Sequence, residues 1–326
     1  MTRAVRQLMQ AVFLVGFSTL AAAEQPVSAS ELLERMSAAM NQMSYQGTFV
    51  YMRGDSVETM RITHVVDDSG VRERLYSIDG PQREIIRDKN GVRCLMADGQ
   101  AMMEDPLAAG EIYPNIPLSG DSNGEQLYRF AVGGKARLAG HEARRVIIKP
   151  ADRYRYGYEL WLEESSGLLL KWVLSNNRGE ALAKLMFTEM RLGSDVRESE
   201  LRSSAPEEAF QLLESSMPAK TTAFNKPLWK PAKLPPGFRL TMHNRVDTGT
   251  QGSYEHLVYS DGLASVSVYI EDPREENTAA HGWSRVGTAN AYSRDVGSKH
   301  VTVIGEVPPI TVKSIGEAVA PPQIGD

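Results

Sequence analysis

Cysteine is all but missing from this 326-residue chain: Cys94 is the only one. A lone thiol cannot close an internal disulfide, so the folded units must be held by apolar cores. In the run GVRCLM, Cys94 reads as a small buried apolar side chain, with an intermolecular disulfide as the alternative. Catalytic and metal signatures are also missing. There is no His-Glu-x-x-His and no Cys-x-x-Cys, and Gly133-Gly134-Lys135 lacks the upstream glycine and following Ser or Thr of a phosphate loop. Gly54-Asp55-Ser56 opens like some esterases, which would make Ser56 a nucleophile, but it falls between β-prone runs where Asp and Ser are turn residues. His64, His141, His243, His256, His281 and His300 are scattered, with no ligand pair at short spacing. The sequence therefore predicts no catalytic residue, no metal site and no cofactor.

Positive charge is in short supply as well: 36 Lys and Arg face 41 Asp and Glu, a formal charge of −5. That balance disfavours nucleic acid, whose binding needs a basic surface. Only one long apolar run exists, Leu8 to Leu20, with Arg3 and Arg6 before it and Ala21-Ala22-Ala23 after it. This is the order of a cleavable secretory signal over residues 1–23, too short to span a bilayer. No Cys follows the small residues, so the expected mature chain from Glu24 is exported, soluble and free of a lipid anchor. Removing Arg3 and Arg6 takes the charge from −5 to −7. The rest is ordinary globular composition, 42% hydrophobic and 24% charged, and the length suits about two domains.

What the chain does contain is a set of short β-prone runs. From Tyr45 to Met96 they are separated by turn signals at Gly54-Asp55, Asp67-Asp68-Ser69-Gly70, Asp79-Gly80-Pro81 and Asn90-Gly91. Strands joined by such tight turns are antiparallel neighbours, which gives a meander of about five. Met60, Ile62, His64 and Val66 share one face; Tyr45, Phe49 and Tyr51 share a face of the first strand while Val50 and Met52 take the other. A sheet apolar in patches on both faces needs cover or holds something apolar. Ahead of it, Ser28 and Glu31 have capping-box spacing, and Leu32, Leu33, Met36, Met40 and Met43 recur at helical intervals. That Met-rich helix is the natural cover, and methionine suits an adjustable wall.

Gln100 to Asn123, with Pro106, Pro114 and Pro117, reads as a long loop, and GEQLYRF as a short helix. A second run follows: HEARRVIIK, RYRYGYELWLEE, LLLKWVLS and EALAKLMFTEMRL. In its second member Tyr154, Tyr156, Tyr158, Leu160 and Leu162 share a face opposite Arg153, Arg155, Glu159 and Trp161. Four strands added to five make a sheet of about nine, wide enough to curl into a half-barrel. The expected class is thus α+β: an N-terminal curved antiparallel β half-barrel with covering helices over residues 24–192, and a smaller C-terminal α+β domain over 227–320. Ser-, Glu-, Ala- and Pro-rich residues 193–226, including PEEAFQLLESSM, read as a linker, and 321–326 as a tail. In the second domain Asp261-Gly262 signals a hairpin, with Ala264, Val266, Val268 and Ile270 on one face; Val301 to Ile304 suits a strand and PPITVKSIGEAV a helix.

Taken together, YQGTFVY, RYGYELWL with SGLLLKW, LPPGF and LVYSDGLASVSVYIE resemble the MucB/RseB family of periplasmic sigma-factor regulators, nearest its MucB side. The first half is similar in pattern to the half-barrel carriers LolA and LppX. The resemblance implies a non-enzymatic periplasmic protein that binds the periplasmic domain of a single-pass anti-sigma factor (MucA/RseA-like). It would shield that partner from regulated proteolysis and be released by a lipid or lipopolysaccharide signal, on the MucB side restraining alginate production. It also allows a homodimer. With that function, the apolar and aromatic positions of this sequence place acyl chains in the half-barrel near Phe49, Tyr51, Met60, Ile62, Trp161 and Trp172, and the partner on the second domain and the cleft between domains, at Trp229, Phe238, Tyr259 and Tyr269. The alternative is a periplasmic lipid or lipoprotein carrier.

Overall fold

A computed structural model describes residues 27–80, 82–89, 91–96, 101–104, 124–193, 196–203, 220–223, 227, 229–247, 253–273 and 281–321. The expected signal at 1–23, the piece PEEAFQLLESSM and, of the expected Gln100–Asn123 loop, residues 100 and 105–123 lie outside these residues; Ala101–Glu104 is a strand rather than loop. Helix α1 (Ala29–Gln42) is capped as its spacing predicts: the Glu31 amide donates to Ser28 Oγ at 3.1 Å.

Two meanders build one curved open sheet of 11 strands. The first runs through β1 (Tyr45–Arg53), β2 (Ser56–Asp67), β3 (Gly70–Ser77), β4 (Arg83–Asp88), β5 (Gly91–Met96) and β6 (Ala101–Glu104). After a single turn of helix, α2 (Gly124–Leu127), the second runs through β7 (Tyr128–Leu138), β8 (His141–Pro150), β9 (Gly157–Glu163), β10 (Leu169–Ser175) and β11 (Ala181–Leu192). The meanders join where β1 pairs antiparallel with β11. Cys94 falls on β5. The sheet exceeds the expected nine by β6 and β7. β7 is an edge strand, exposed at most positions and interrupted by Gly133-Gly134, so it carries no two-residue apolar period to read.

A second sheet of seven strands has the order β12-β14-β15-β16-β19-β18-β17. Its members are β12 (Lys220–Ala223), β14 (Arg239–Asp247), β15 (Ser253–Ser260), β16 (Ser265–Glu271), β17 (Gly282–Val286), β18 (Ala289–Val296) and β19 (Lys299–Gly305). Helix α3 (Pro309–Ala318) packs Val312 and Ile315 into the face formed by Leu257, Val266, Val268, Ile270, Val301 and Val303. The short strands β13 (Lys230–Pro231) and β20 (Val319–Ala320) pair beside it. β12 thus begins the second sheet inside the stretch read as linker. At the other end of that stretch, residues 196–203 run along the back of the first sheet: Glu198 accepts from Arg72 at 2.7 Å, and Ser203 Oγ donates to buried Glu84 at 3.0 Å.

Candidate functional site

Cross-strand register assembles the inner face of the large sheet. Phe49 lies between Met60 on β2 and Phe187 on β11, Ile62 meets Leu75, and Tyr51 faces Leu185, which faces Trp172 on β10. The rings meet edge-on: Phe49 and Phe187 at 5.3 Å, Tyr51 and Trp172 at 6.0 Å, Tyr158 and Trp172 at 6.3 Å. Gly47 is required in YQGTFVY because a Cβ there would lie 2.7 Å from the Phe187 ring and 2.6 Å from the Glu189 carbonyl. Leu32, Leu33, Met36 and Ala39 of α1 join this core. Arg35 ties the helix to the β9–β10 turn by donating to the Glu164 carbonyl at 2.8 Å.

Phe49, Met60 and Ile62 are 0%, 2% and 0% exposed, Trp172 is buried and Tyr51 half-buried. These five of the six expected lipid residues share one face. Trp161 is on the other, where Lys171 Nζ stands 4.1 Å above its ring and Arg145 lies nearby. The inner face is thus sealed in this conformation. An acyl chain reaching it has to displace packed side chains or the cover above them.

The end of this aromatic row abuts the second domain. Arg155, fully buried, donates from Nε to Asp261 Oδ2 at 2.7 Å, from Nη2 to the Pro236 carbonyl at 2.5 Å, and from Nη1 to Asp152. Its guanidinium lies 5.5 Å from the Tyr128 ring and 5.4 Å from the Phe238 ring. Tyr128 donates to the same Asp261 oxygen at 2.9 Å, and burial together with that carboxylate pushes its phenol well up. On either side, Thr311 Oγ1 donates to the Tyr154 carbonyl at 2.6 Å and Asn290 to the Tyr156 hydroxyl at 3.1 Å. Gly237, at φ +82°, admits no Cβ because Leu127 would be 2.3 Å away. RYRYGY, LPPGF and SDG therefore meet at one domain joint. The expectation that Tyr154 and Tyr156 begin a strand gives way here, since β9 starts at Gly157 and the preceding residues bend to make the joint. A second contact flanks it: Arg53 donates to Thr288 at 2.7 Å and pairs with Glu306 at 3.1 Å. Burial and, after it, the Glu306 carboxylate raise the Tyr51 and Tyr158 phenols.

Of the expected partner residues, Phe238 is buried at the joint and Tyr259 in the second core, where burial pushes its phenol up to about 12. Trp229 and Tyr269 are half-buried. Tyr269 stacks on His256 at 4.4 Å and meets Tyr254 at 5.9 Å, on the sheet face opposite α3.

The family models match this two-domain layout: the MucB/RseB N-terminal domain over residues 28–205 and the MucB/RseB C-terminal domain over residues 223–320. The chain belongs to the MucB/RseB family. It is 33% identical over 316 residues to the Sigma factor AlgU regulatory protein MucB of Pseudomonas aeruginosa, 95% of this chain and 96% of that protein. It is 26% identical to the Sigma-E factor regulatory protein RseB of Escherichia coli K12, over 96% of this chain and 98% of that one. A crystal structure of MucB in complex with MucA(peri) superposes with a TM-score of 0.70 at 31% identity, covering 90% of this chain and 99% of that one. MucB alone superposes at 0.65 with 32% identity, covering 90% and 98%. The MucB/RseB family is one of regulatory proteins rather than enzymes.

The run Gly120 to Gly124 (GDSNG) matches Gly-x-Ser-x-Gly in its letters, and only Gly124, the start of α2, is among the described residues. The four-residue α2 that it leads into is far shorter than the helix after a nucleophile elbow. Sequence reasoning missed Arg155 and Asp261 as a pair. The signal was available only in part: Asp261 looked like a turn residue, and nothing local says that its second oxygen serves another domain.

Proposed function

We propose that this protein restrains an envelope-stress sigma factor from the periplasm, after export on the signal at residues 1–23. It binds the periplasmic region of a single-pass anti-sigma factor, protects it from regulated proteolysis, and lets go when a lipid such as lipopolysaccharide arrives. The observation that carries this reading is the similarity, over nine-tenths of the chain, to MucB as captured with MucA(peri).

In this proposal the acyl chains take the inner face at Phe49, Tyr51, Met60, Ile62 and Trp172, while Trp161, on the outer face, has no part. Burying a few hundred Å² of chain at about 25 cal/mol per Å² yields several kcal/mol, the same order as the roughly 8 kcal/mol of a micromolar complex. The peptide takes the face of the second domain that carries Tyr269, opposite α3; Trp229 packs on the α3 side of the core, Tyr259 is buried in that core and Phe238 is buried at the joint. Coupling runs through the joint, because Tyr51 and Tyr158 belong to the aromatic row and each lies two residues from a joint contact, Arg53 with Thr288 and Glu306, and Tyr156 with Asn290. A ligand that spreads the row shifts the joint, and a joint held differently presents the second domain differently.

The test is proteolysis of the partner's periplasmic region in a purified mixture. Protection by the mature chain, lost on adding lipopolysaccharide, is the expected result. No protection at saturating protein contradicts the proposal, and lipid transfer between vesicles without any partner would favour the carrier instead.

A further inference from the structure

We infer that His281, Asp295 and His300 form a binding site for a divalent transition-metal cation, zinc by its donor set, at the β17–β18–β19 edge of the second sheet. The three donor atoms lie within 4.8 Å of one another, although the histidines are far apart in sequence. The fold makes the cluster in two steps. Asp295 and His300 are direct cross-strand partners on β18 and β19, so they share a face and their side chains meet. His281 precedes Gly282, whose φ of +95° turns the chain where a residue with a Cβ would be strained, and the imidazole reaches the same carboxylate.

Asp295 bridges the rings, one oxygen 2.8 Å from His300 Nδ1 and the other 2.9 Å from His281 Nε2. The rings stand at 83° with centroids 5.8 Å apart, so their edges converge on the carboxylate rather than stack. Zinc with nitrogen and oxygen donors at about 2.0–2.2 Å needs neighbouring donors roughly 3.3 Å apart. Each nitrogen already touches its own carboxylate oxygen, and the three donor atoms, now within 4.8 Å of one another, have to draw together to that spacing. The site has a fixed half and a movable half for this. The His300 side chain is 7% exposed and held, whereas those of His281 and Asp295 are 61% and 51% exposed and free to adjust by an ångström or so. Two imidazoles and one carboxylate form a three-ligand set that leaves a fourth position for water or a donor from a bound partner. Glu271 pairs with His300 from β16 and adds negative charge to the same row. An ion here would pin the edge strand β17 to its neighbours, on the face that also carries Tyr269.

Titrating the mature full-length chain with zinc alone by calorimetry, and with cobalt(II) by absorption, tests the site. The expected result is one ion per chain, a tetrahedral cobalt spectrum, and a rise in the thermal midpoint with zinc. His281→Gln and Asp295→Asn change exposed side chains, so they should fold as the parent does and bind at least about tenfold more weakly. His300→Ala is the poorer probe because that ring is buried. Absence of binding in the parent, or parent-like affinity in both variants, overturns the inference.

Discussion

The two sheets cover their apolar faces with different materials. The first uses mainly leucine, interleaved with aromatics and methionines such as Tyr45, Phe49, Phe187, Trp172, Met36, Met60 and Met190; the second uses mostly valine, with Val266, Val268, Val301, Val303, Val307, Val312 and Val319. Methionine and edge-on rings can repack around an altered volume, whereas β-branched valines have essentially one rotamer and one shape. A core meant to admit a ligand and a core meant to present a fixed surface would be built in those two ways. The joint between them is different again: a buried ion pair and hydrogen bonds, whose value depends on every partner staying in place.

The largest expected effect is at that joint. Asp261→Ala leaves the Arg155 guanidinium buried with one carboxylate fewer and should cost about 3–5 kcal/mol. Because each sheet has its own core, denaturant unfolding followed separately by first-domain and second-domain fluorescence should then split into two transitions. Coincident transitions at the parent midpoint would show that the joint does not couple the domains. Next comes a paired test of the two cores. Val303→Leu overpacks the valine face and should cost about 1–3 kcal/mol, while Met60→Leu, close in volume, should cost less than about 1.5 kcal/mol. Reversal of that order in urea melts breaks the contrast between adaptable and rigid.

Smaller changes sharpen how the first core is covered. Ser28→Ala removes the α1 cap and should cost about 1 kcal/mol, read as faster hydrogen exchange in the helix with the sheet unchanged. A change read in the pH profile rather than at one pH involves Glu163, whose carboxylate accepts hydrogen bonds from Ser165 and Ser166 in the turn that holds Arg35 of α1. Burial opposes its ionisation, but those bonds win and bring it from 4.5 down to about 2. A depressed carboxylate contributes stability that is fully present above its unfolded value and lost as pH falls through its folded one. Glu163→Gln should therefore flatten the acid side of the stability profile between about pH 4.5 and 2, and an unchanged profile would contradict the assignment.

The sequence made the local features readable. Turn signals at Gly54, Gly70 and Gly91 mark real hairpins, each glycine at positive φ, and the α1 cap and the Asp261-Gly262 hairpin sit where their chemistry places them. Strands without a two-residue apolar pattern were not readable: β7 at an exposed edge, and β17 and β18, whose faces mix alanine, serine, asparagine and charge. Inner-face residues on β1 and β2 could be grouped because alternation fixes side. Trp161 was grouped with them although alternation along β9 already sets it opposite Leu160 and Leu162; its pairing with Lys171, opposite the Leu160–Trp172 pair, fixes it on the outer face. The joint and the His281, Asp295 and His300 cluster were invisible for a common reason. Both are made by residues distant in sequence, and only the folded order of strands brings them together.

Reciprocity between lipid and partner is the claim on which the functional account stands. The direct measurement is the affinity of the purified chain for the anti-sigma periplasmic region across a lipopolysaccharide titration, with lipid affinity measured across a peptide titration. The account predicts that each ligand weakens the other by the same factor, as linkage requires. Peptide affinity that stays constant while the inner face fills with lipid would contradict it.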